Sequence, residues 1–563
     1  MNKEVRRNGK FSYRHLGRYG EIVAVLVKYG FGDLLSRLNV EKYLNVGKRL
    51  LHKKETAAAP GVSRWDRVRM ALEELGPTFI KLGQFASNRP DILPVELIIA
   101  LEKLQDGVPP FEGKHAIDTV EKELGAPLET LFREFAPQPF ASASMAQVYR
   151  ARLHDGQEVA VKVQRPQIDD SVMVDIEIMH HIGSLMQRHL HGLGALEPEK
   201  LVDEFAHAIR KELDFRIEAM HIRHFASNFK NDPTVYIPQV FESHSARRVL
   251  TTEFINGIKI SRIDDLLHAG ADPREIARRG AVAVLRQIFV HGFFHADPHA
   301  GNILIKENNV ICFLDLGMTG ILAPTTRSRL SAIVIGIAQQ NPQRIVTALA
   351  AMSYRQLQNR EELEYELSEL LQEYASRSIA AINVSEVLNR LSQLMAVHQI
   401  RVMPGFYLLV KALVTIEGIG YRLDPQFNLM EHIEPFVRRM IREQYNVAHL
   451  LHDGGEAAGD FIRLLRDLPS ETRELLQIVK AGQVKIEFEH RGLDPITKKL
   501  DQMVNRLVFG LVLASLIIGS SIVIYSDIPP KFHGFPLIGL AGFLAAGIMG
   551  FGLLISILRH ERM

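Results

Sequence analysis

The strongest constraint on the fold lies between Phe294 and Gly317, where three oxygen-bearing side chains stand at fixed spacing. Asp297 is followed five residues later by Asn302, and Asp315 closes the apolar run Val310-Ile311-Cys312-Phe313-Leu314 just ahead of Leu316-Gly317. Such a group suits a hard cation such as Mg2+, which takes oxygen ligands, and leaves one carboxylate free to face a reacting hydroxyl or water. Two simpler readings remain open from this segment alone. Asp297 and Asp315 can be turn residues, and His295-x-Asp297-x-His299 can be a transition-metal cluster.

The spacing is the carboxylate layout of kinase phosphoryl transfer, with Asp297 toward the acceptor and Asn302 and Asp315 on magnesium. It departs in two places. The loop reads His295-Ala296-Asp297 where ordinary protein kinases have His-Arg-Asp, and the metal motif reads Asp315-Leu316-Gly317. An upstream half appears in the expected order. Gln147 to Val163 alternates as a strand hairpin around Asp155-Gly156, with Lys162 inside Val159-Ala160-Val161-Lys162-Val163. A strand lysine there can reach phosphate oxygens, although most lysines in strands only solvate an exposed face. Where kinases carry a Gly-rich phosphate cover, this chain has Ala141-Ser142-Ala143-Ser144-Met145-Ala146. Small side chains still let backbone N–H groups approach phosphate, but alanine allows fewer backbone conformations than glycine.

On these motifs the chain resembles the UbiB/AarF (ABC1/ADCK) family of atypical kinase-like proteins. The resemblance runs from about residue 60 to 480 and rests on Lys81-Leu82-Gly83-Gln84, the alanine-rich loop, Glu212-Leu213-Asp214, and His295-Ala296-Asp297 through Asn302 and Asp315. It implies that Lys162 pairs with Glu218 and that Asp297 is the catalytic-loop aspartate. It implies further that the helix carrying Lys81, Gly83 and Gln84 folds over the site, with Lys81 near Glu212 and Asp214, obstructing protein substrates. ATP and Mg2+ as cofactors, ATPase or atypical kinase activity, and support of isoprenoid quinone (ubiquinone) biosynthesis follow as implications of the same resemblance. On the residues alone, Lys81, Glu212 and Glu218 lie in Lys- and Glu-rich helical sequence, where such charges usually line a solvated face. Gly83 inside a helix costs about 1 kcal/mol relative to Ala, a hint of close approach.

Lys and Arg number 67 against 65 Asp and Glu, so charge gives no reason to expect nucleic-acid binding. The single cysteine, Cys312, excludes an intramolecular disulfide and reads as a small core residue. Met1 to Arg7 lacks the apolar core of a signal peptide. Arg18 to Lys54 mixes cations with apolar residues and fits either a membrane-surface helix or one packed on the body. Val68, Leu72 and Leu75, then Leu97, Leu101 and Leu104, form helical stripes around a turn at Asn88 to Asp91. Long helices are expected from Asp175 to Phe229, strands at Thr234 to Val240 and Arg248 to Phe254, and a helix from Pro273 to Gly292. Glu253 to Gly257 reads as the hinge between lobes, with the backbone around Glu253 and Ile255 facing an adenine edge.

Leu507 to Tyr525 and Phe535 to Leu558 contain no charged residue. Each is long enough to cross a hydrocarbon layer of about 30 Å, which predicts a two-helix membrane hairpin turning at Asp527 to Lys531. Lys498, Lys499 and Arg506 precede it, Arg559 and Arg562 follow it, and only Lys531 lies in the turn. Both ends are thus expected in the cytoplasm, as in a bacterial inner-membrane protein. Gly542, Ala546 and Gly550, four apart, let helices approach closely, either within the hairpin or between two copies as a homodimer.

The sequence therefore predicts an α+β, kinase-like two-lobed fold with a helical extension before it and a hairpin after it. Residues 1–60 form a basic amphipathic region, 61–135 the extension, 136–255 the small lobe, 256–480 the helical large lobe, 481–503 a linker and 504–560 the hairpin. The expected partners are membrane lipid, hydrophobic quinone precursors and proteins of quinone biosynthesis. The competing reading is a nucleotide-switched lipid-binding or scaffolding pseudokinase.

Overall fold

The structure, a computed structural model, describes residues 13–38, 62–89, 92–104, 109–190, 197–353, 357, 359–375, 383–398, 400, 402, 404–444, 494–526, 528–532 and 535–560. The chain forms two units, residues 1–450 and 451–563.

In the first unit a small antiparallel sheet is built from β1 (Glu134–Phe135), β2 (Ala141–Ser142), β3 (Ala146–Arg152), β4 (Glu158–Gln164) and β6 (Val249–Glu253), in the order β1-β3-β4-β6 with β2 on β3. The β3–β4 hairpin turns at Gly156, whose φ of +89° only glycine adopts freely. Alternation along β4 sets its two faces. Val159, Val161 and Val163 are buried with Tyr149 against Ala116 and Val120 of α6 (Gly113–Leu124), which covers the outer face. Lys162 consequently points to the opposite, cleft-side face.

The remaining N-terminal helices are α1 (Tyr13–Lys28), α2 (Gly32–Arg37), α3 (Arg64–Leu75), α4 (Pro77–Ser87) and α5 (Val95–Leu101), with a short α7 (Leu128–Leu131) after α6. After β4 come α8 (Ile168–His189), α9 (Pro198–Glu212) and α10 (Phe215–Asn228). Tyr19, Ile22 and Val23 of α1 are buried among residues of α3, α4, α8 and α9. Arg18 completes the docking by pairing with the buried Asp175 at 2.8 Å and donating to the Leu75 carbonyl at 2.7 Å. The apolar face of α1 thus belongs to the protein core, and the membrane-surface alternative for this helix is set aside. The rest of the amphipathic region, residues 39–61, lies outside the described residues, as do Met1 to Arg7, Pro90 and Asp91.

The large lobe holds the sheet β5 (Val235–Tyr236), β10 (Val310–Phe313), β9 (Ile303–Lys306) and β7 (Ile258–Lys259), and a separate pair, β8 (Phe293–His295) with β11 (Thr319–Ile321). The strand expected from Thr234 shrinks to β5, because Pro238 interrupts pairing. Around these strands pack α11 (Ile263–His268), α12 (Pro273–Arg286), α13 (Pro324–Ala338), α14 (Pro342–Met352), α15 (Arg360–Ala375), α16 (Val384–Val397), α17 (Pro404–Leu423) and α18 (Leu429–Gln444). The helix leading to the Asp297 loop changes to a π turn at Gln287–His291 and ends on Gly292 at φ +65°.

In the second unit α19 (Asp494–Tyr525) and α20 (Leu537–His560) run as a helical hairpin closed by the short ladder β12 (Lys531–Phe532) and β13 (Phe535–Pro536). A Cβ on Gly542 would lie 2.1 Å from Ser520 Oγ, and Ala546 is buried, so the small-residue face of α20 is occupied by α19 of the same chain. Among the described residues one helical segment, Met503–Tyr525, is long and apolar enough to cross a membrane, with mean hydropathy 2.6; the apolar part of α20, Leu537–Gly552, is shorter. Asp527, Arg562 and most of the linker lie outside the described residues.

Candidate active site

Lys162 is the centre of the cleft. Its ammonium donates to Glu218 Oε2 at 2.8 Å and Oε1 at 3.0 Å, and reaches Asp315 Oδ1 at 3.5 Å. Glu218 lies in the first turn of α10 and is buried, so β4, α10 and the end of β10 meet at one lysine. Burial disfavours the charge on Lys162, but Asp315 and Glu218 outweigh it and hold the ammonium above its ordinary value. Burial lifts the Glu218 carboxyl to about 7 against the pull of Lys162. Asp315 is held well below the usual carboxylate range, chiefly by Lys162, with Lys81 and His295 adding to it. Its backbone has φ +46°, unusual for a residue with a Cβ and a mark of local strain. His221, one turn beyond Glu218 on α10, donates to the Leu316 carbonyl at 3.1 Å and ties that strained loop to the helix.

The loop that carries Asp297 is fixed from beneath. The Gln287 side chain accepts from His295 N–H at 3.0 Å, and Asp297 N–H donates to His295 Nδ1 at 3.3 Å. His295 is therefore a buried neutral imidazole, its pKa pushed down by burial to about 4. His299 Nδ1 accepts from Gly301 N–H at 3.0 Å. With both histidines serving the backbone, and no group of three His, Cys, Asp or Glu placed to hold a metal among the described residues, the transition-metal reading falls. Asn302 lies beside the end of β10, its backbone carbonyl accepting from Leu314 N–H at 2.8 Å. Asn302 and Asp315 are oxygen donors that suit Mg2+, which takes one or two protein ligands and completes its shell with phosphate and water.

The remaining residues singled out in the sequence divide into those that meet the cleft and those that do not. Lys81 on α4 pairs with Glu212 Oε1 at 2.7 Å, and its charge is felt at Asp315. Asp214 is turned elsewhere: it caps α10 through Arg216 N–H at 3.1 Å and pairs with the Arg216 guanidinium at 2.6 Å. Gly83 faces the extension, where an added Cβ would stand 2.3 Å from Leu104 and 3.0 Å from Leu72. Gln84 is half-buried on the same helix, its carbonyl accepting from Ser87 and Asn88. In the alanine-rich loop Ala141 and Ala143 are exposed, Ser142 is half-buried, and Ser144, Met145 and Ala146 are buried. At the hinge the Glu253 carboxylate accepts from Tyr236 at 2.6 Å, and Ile255 packs with Leu304 and Cys312. A cleft of about 630 Å³ behind the hinge, lined by Tyr236, Glu253, Ile255 and Lys306, shares none of Lys162, Asp297, Asn302 and Asp315.

Three participants were not legible as site residues. Arg165 donates to the Ala143 carbonyl, Ser142 Oγ and the Pro109 carbonyl, each at 3.0 Å, and pins the alanine-rich loop. No local pattern marks it. His221 is a second, and lies on an ordinary helix face. Lys411 of α17 lies 3.2 Å from Asp297 Oδ1. It does carry a signal, as the only charge in the run Tyr407 to Val414.

A two-lobed fold with a lysine–glutamate pair under a hairpin strand, and an Asp–Asn loop facing an Asp-x-Gly turn, defines the kinase-like class of proteins. Residues 103–349 match the ABC1 atypical kinase-like domain, 367–428 the UbiB helical domain and 491–559 the ABC1/UbiB kinase-like C-terminal domain. A Clostridium pasteurianum protein known from the hydrogenase 1 5′ region is 32% identical over 547 residues, covering 96% of this chain and 98% of its own. A Synechocystis sp. protein of uncharacterised function is 31% identical over 470 residues, 83% of this chain and 80% of its own. The Marinobacter nauticus protein named "Probable protein kinase UbiB" is 33% identical over 434 residues, 76% of this chain and 79% of its own. The chain belongs to the UbiB/ABC1 family of atypical kinase-like proteins.

Proposed function

We propose that this protein is an ATP- and Mg2+-dependent atypical kinase or ATPase, anchored in a bacterial inner membrane, that supports isoprenoid quinone biosynthesis. The observation that carries the chemical part is the bridge from Lys162 to both Glu218 and Asp315. Mg2+ on Asn302 and Asp315 would supply charge neutralisation at the nucleotide phosphates. Lys162 offers its ammonium to a phosphate oxygen from the small lobe, and Asp297 accepts the proton of the attacking hydroxyl or water. The Lys81–Glu212 pair brings the extension over the same cleft, which favours a small or hydrophobic acceptor over a protein side chain.

The anchor in this reading is the α19–α20 hairpin, both helices crossing, with the body and both chain ends in the cytoplasm as the flanking cations direct. Any pairing of two copies through the hairpin would use faces other than Gly542 and Ala546, which already meet α19. Polyprenylated quinone precursors partition into the bilayer, so tethering turns a three-dimensional search for them into a local one, beside other proteins of the same synthesis. The competing reading, a nucleotide-switched lipid-binding scaffold, rests on the alanine-rich loop that replaces a Gly-rich one, and the retention of Lys162, Asp297, Asn302 and Asp315 argues against it. Quinone extracted from deletion and complemented cells separates them. The enzyme reading expects low quinone in the deletion strain, rescue by the intact chain and none by Asp297→Asn or Asp315→Asn. Full rescue by those variants supports the scaffold, and normal quinone in a deletion strain without a second homologue rejects the role.

A further inference from the structure

Lys411 occupies an unusual position for a lysine. Its helix is core, with Tyr407, Leu409, Ala412 and Leu413 buried around it. The anion that this partly withdrawn cation meets is Asp297, at 3.2 Å. Both side chains are about two-thirds withdrawn from solvent, at 34% and 28% exposure, so water screens their attraction less than in an open surface pair. The backbone of the catalytic loop is held by His295 and Gln287, yet the Asp297 carboxylate has no other ion-pair partner among the described residues. Glu102, at the end of α5, has its carboxyl raised by burial and drawn back down by Lys411. The ammonium therefore acts on the extension and on the catalytic loop together.

We infer that Lys411 is a positioning residue for Asp297, through which the helical domain completes the phosphoryl-transfer site. This rests on the phosphoryl-transfer reading above. Lys411 holds Oδ1 of Asp297, which turns Oδ2 toward the acceptor. In the step it serves, the acceptor oxygen forms a bond to the γ-phosphorus while the bond from that phosphorus to the β,γ-bridging oxygen breaks. ADP leaves with the electron pair, and the acceptor proton passes to Oδ2. Lys411 neither gives nor takes a proton. It fixes the geometry of the base.

The test is steady-state ATP turnover by the purified full-length protein in lipid, with Lys411→Met, Lys411→Arg, Asp297→Asn and the double variant Asp297→Asn/Lys411→Met. Lys411→Met is expected to lower kcat by about 10- to 100-fold with KM within about threefold, since the interaction serves the transition state rather than nucleotide binding. Lys411→Arg should recover most of that loss, both variants should melt as the parent does, and the double variant should be no slower than Asp297→Asn alone. A kcat for Lys411→Met within about twofold of the parent overturns the inference. So does a loss that arginine does not recover and that follows a lowered melting temperature, or a double variant slower than Asp297→Asn. Absence of Mg2+-dependent turnover in the parent protein is a different failure: it removes the phosphoryl-transfer reading and this inference with it.

Discussion

Two of the lysine–carboxylate pairs at the cleft are of similar length and different character. Lys162–Glu218 joins a strand to a helix with the glutamate only 8% exposed, whereas Lys411–Asp297 joins a helix to a loop with both groups about one-third exposed. Burial makes the first pair a fixture. Removing Lys162 leaves Glu218 and Asp315 without their shared cation, and the buried Glu218 carboxyl, already raised to about 7, is then driven to its neutral form. The second pair keeps contact with water, so its loss costs little stability and its value lies in orientation. Similar chemistry thus serves architecture on one side of the cleft and alignment on the other.

The largest effect should come from breaking the buried pair. Lys162→Met leaves Glu218 buried without its cation and should cost about 3–5 kcal/mol in urea unfolding, while Lys411→Met should cost no more than about 1 kcal/mol. Equal losses would erase the distinction. The next effect is set by pH. His295 is depressed from 6.5 to about 4, so below pH 6.5 the unfolded chain takes up a proton that the folded chain refuses until about pH 4. Its contribution is full above 6.5 and is lost as pH falls toward 4, by about 3 kcal/mol from the size of the shift. Glu218 runs the other way, being raised from 4.5 to about 7, so its contribution is full below 4.5 and fades as pH rises through 7. Unfolding free energies of the parent and of His295→Gln at pH 7 and pH 4.5 should therefore converge at the acid end, and a constant gap between them would contradict the buried neutral imidazole. The smallest effect is at Gly83→Ala. The new methyl must displace the tip of Leu104, at about 1–2 kcal/mol, against a gain of about 1 kcal/mol in helix propensity. Faster proteolysis of the extension with little change in global melting would fit a local packing role.

What the sequence made legible follows the same division. The β3–β4 hairpin, the lysine within it and the Asp297/Asn302/Asp315 spacing are local patterns, because strand alternation, turn chemistry and loop length impose them on neighbours in the chain, whereas Glu218, on α10, was marked only by the family resemblance. Lys411 is distant in sequence and joins the site only through the packing of α17 against α12, which no local period encodes. Arg165 was missed for a related reason: its role depends on where the chain around Pro109 lies after folding. Asp214 was read with Glu212 as one motif, but the backbone between them leaves α9 and starts α10, so one carboxylate meets Lys81 and the other caps the new helix. The ambiguity over Arg18 to Lys54 came from composition alone. The buried Asp175 waiting for Arg18 resolves it for α1.

The central claim is that Lys162, Asn302 and Asp315 form a Mg2+-dependent nucleotide site. Titration calorimetry of the purified full-length protein with ATP, with and without Mg2+, tests it most directly when repeated on Asp315→Asn. Saturable binding that requires Mg2+ in the parent and is weakened at least about 30-fold in the variant, a loss of about 2 kcal/mol, is the predicted result. Equal Mg2+-dependent affinity in the two proteins would contradict it.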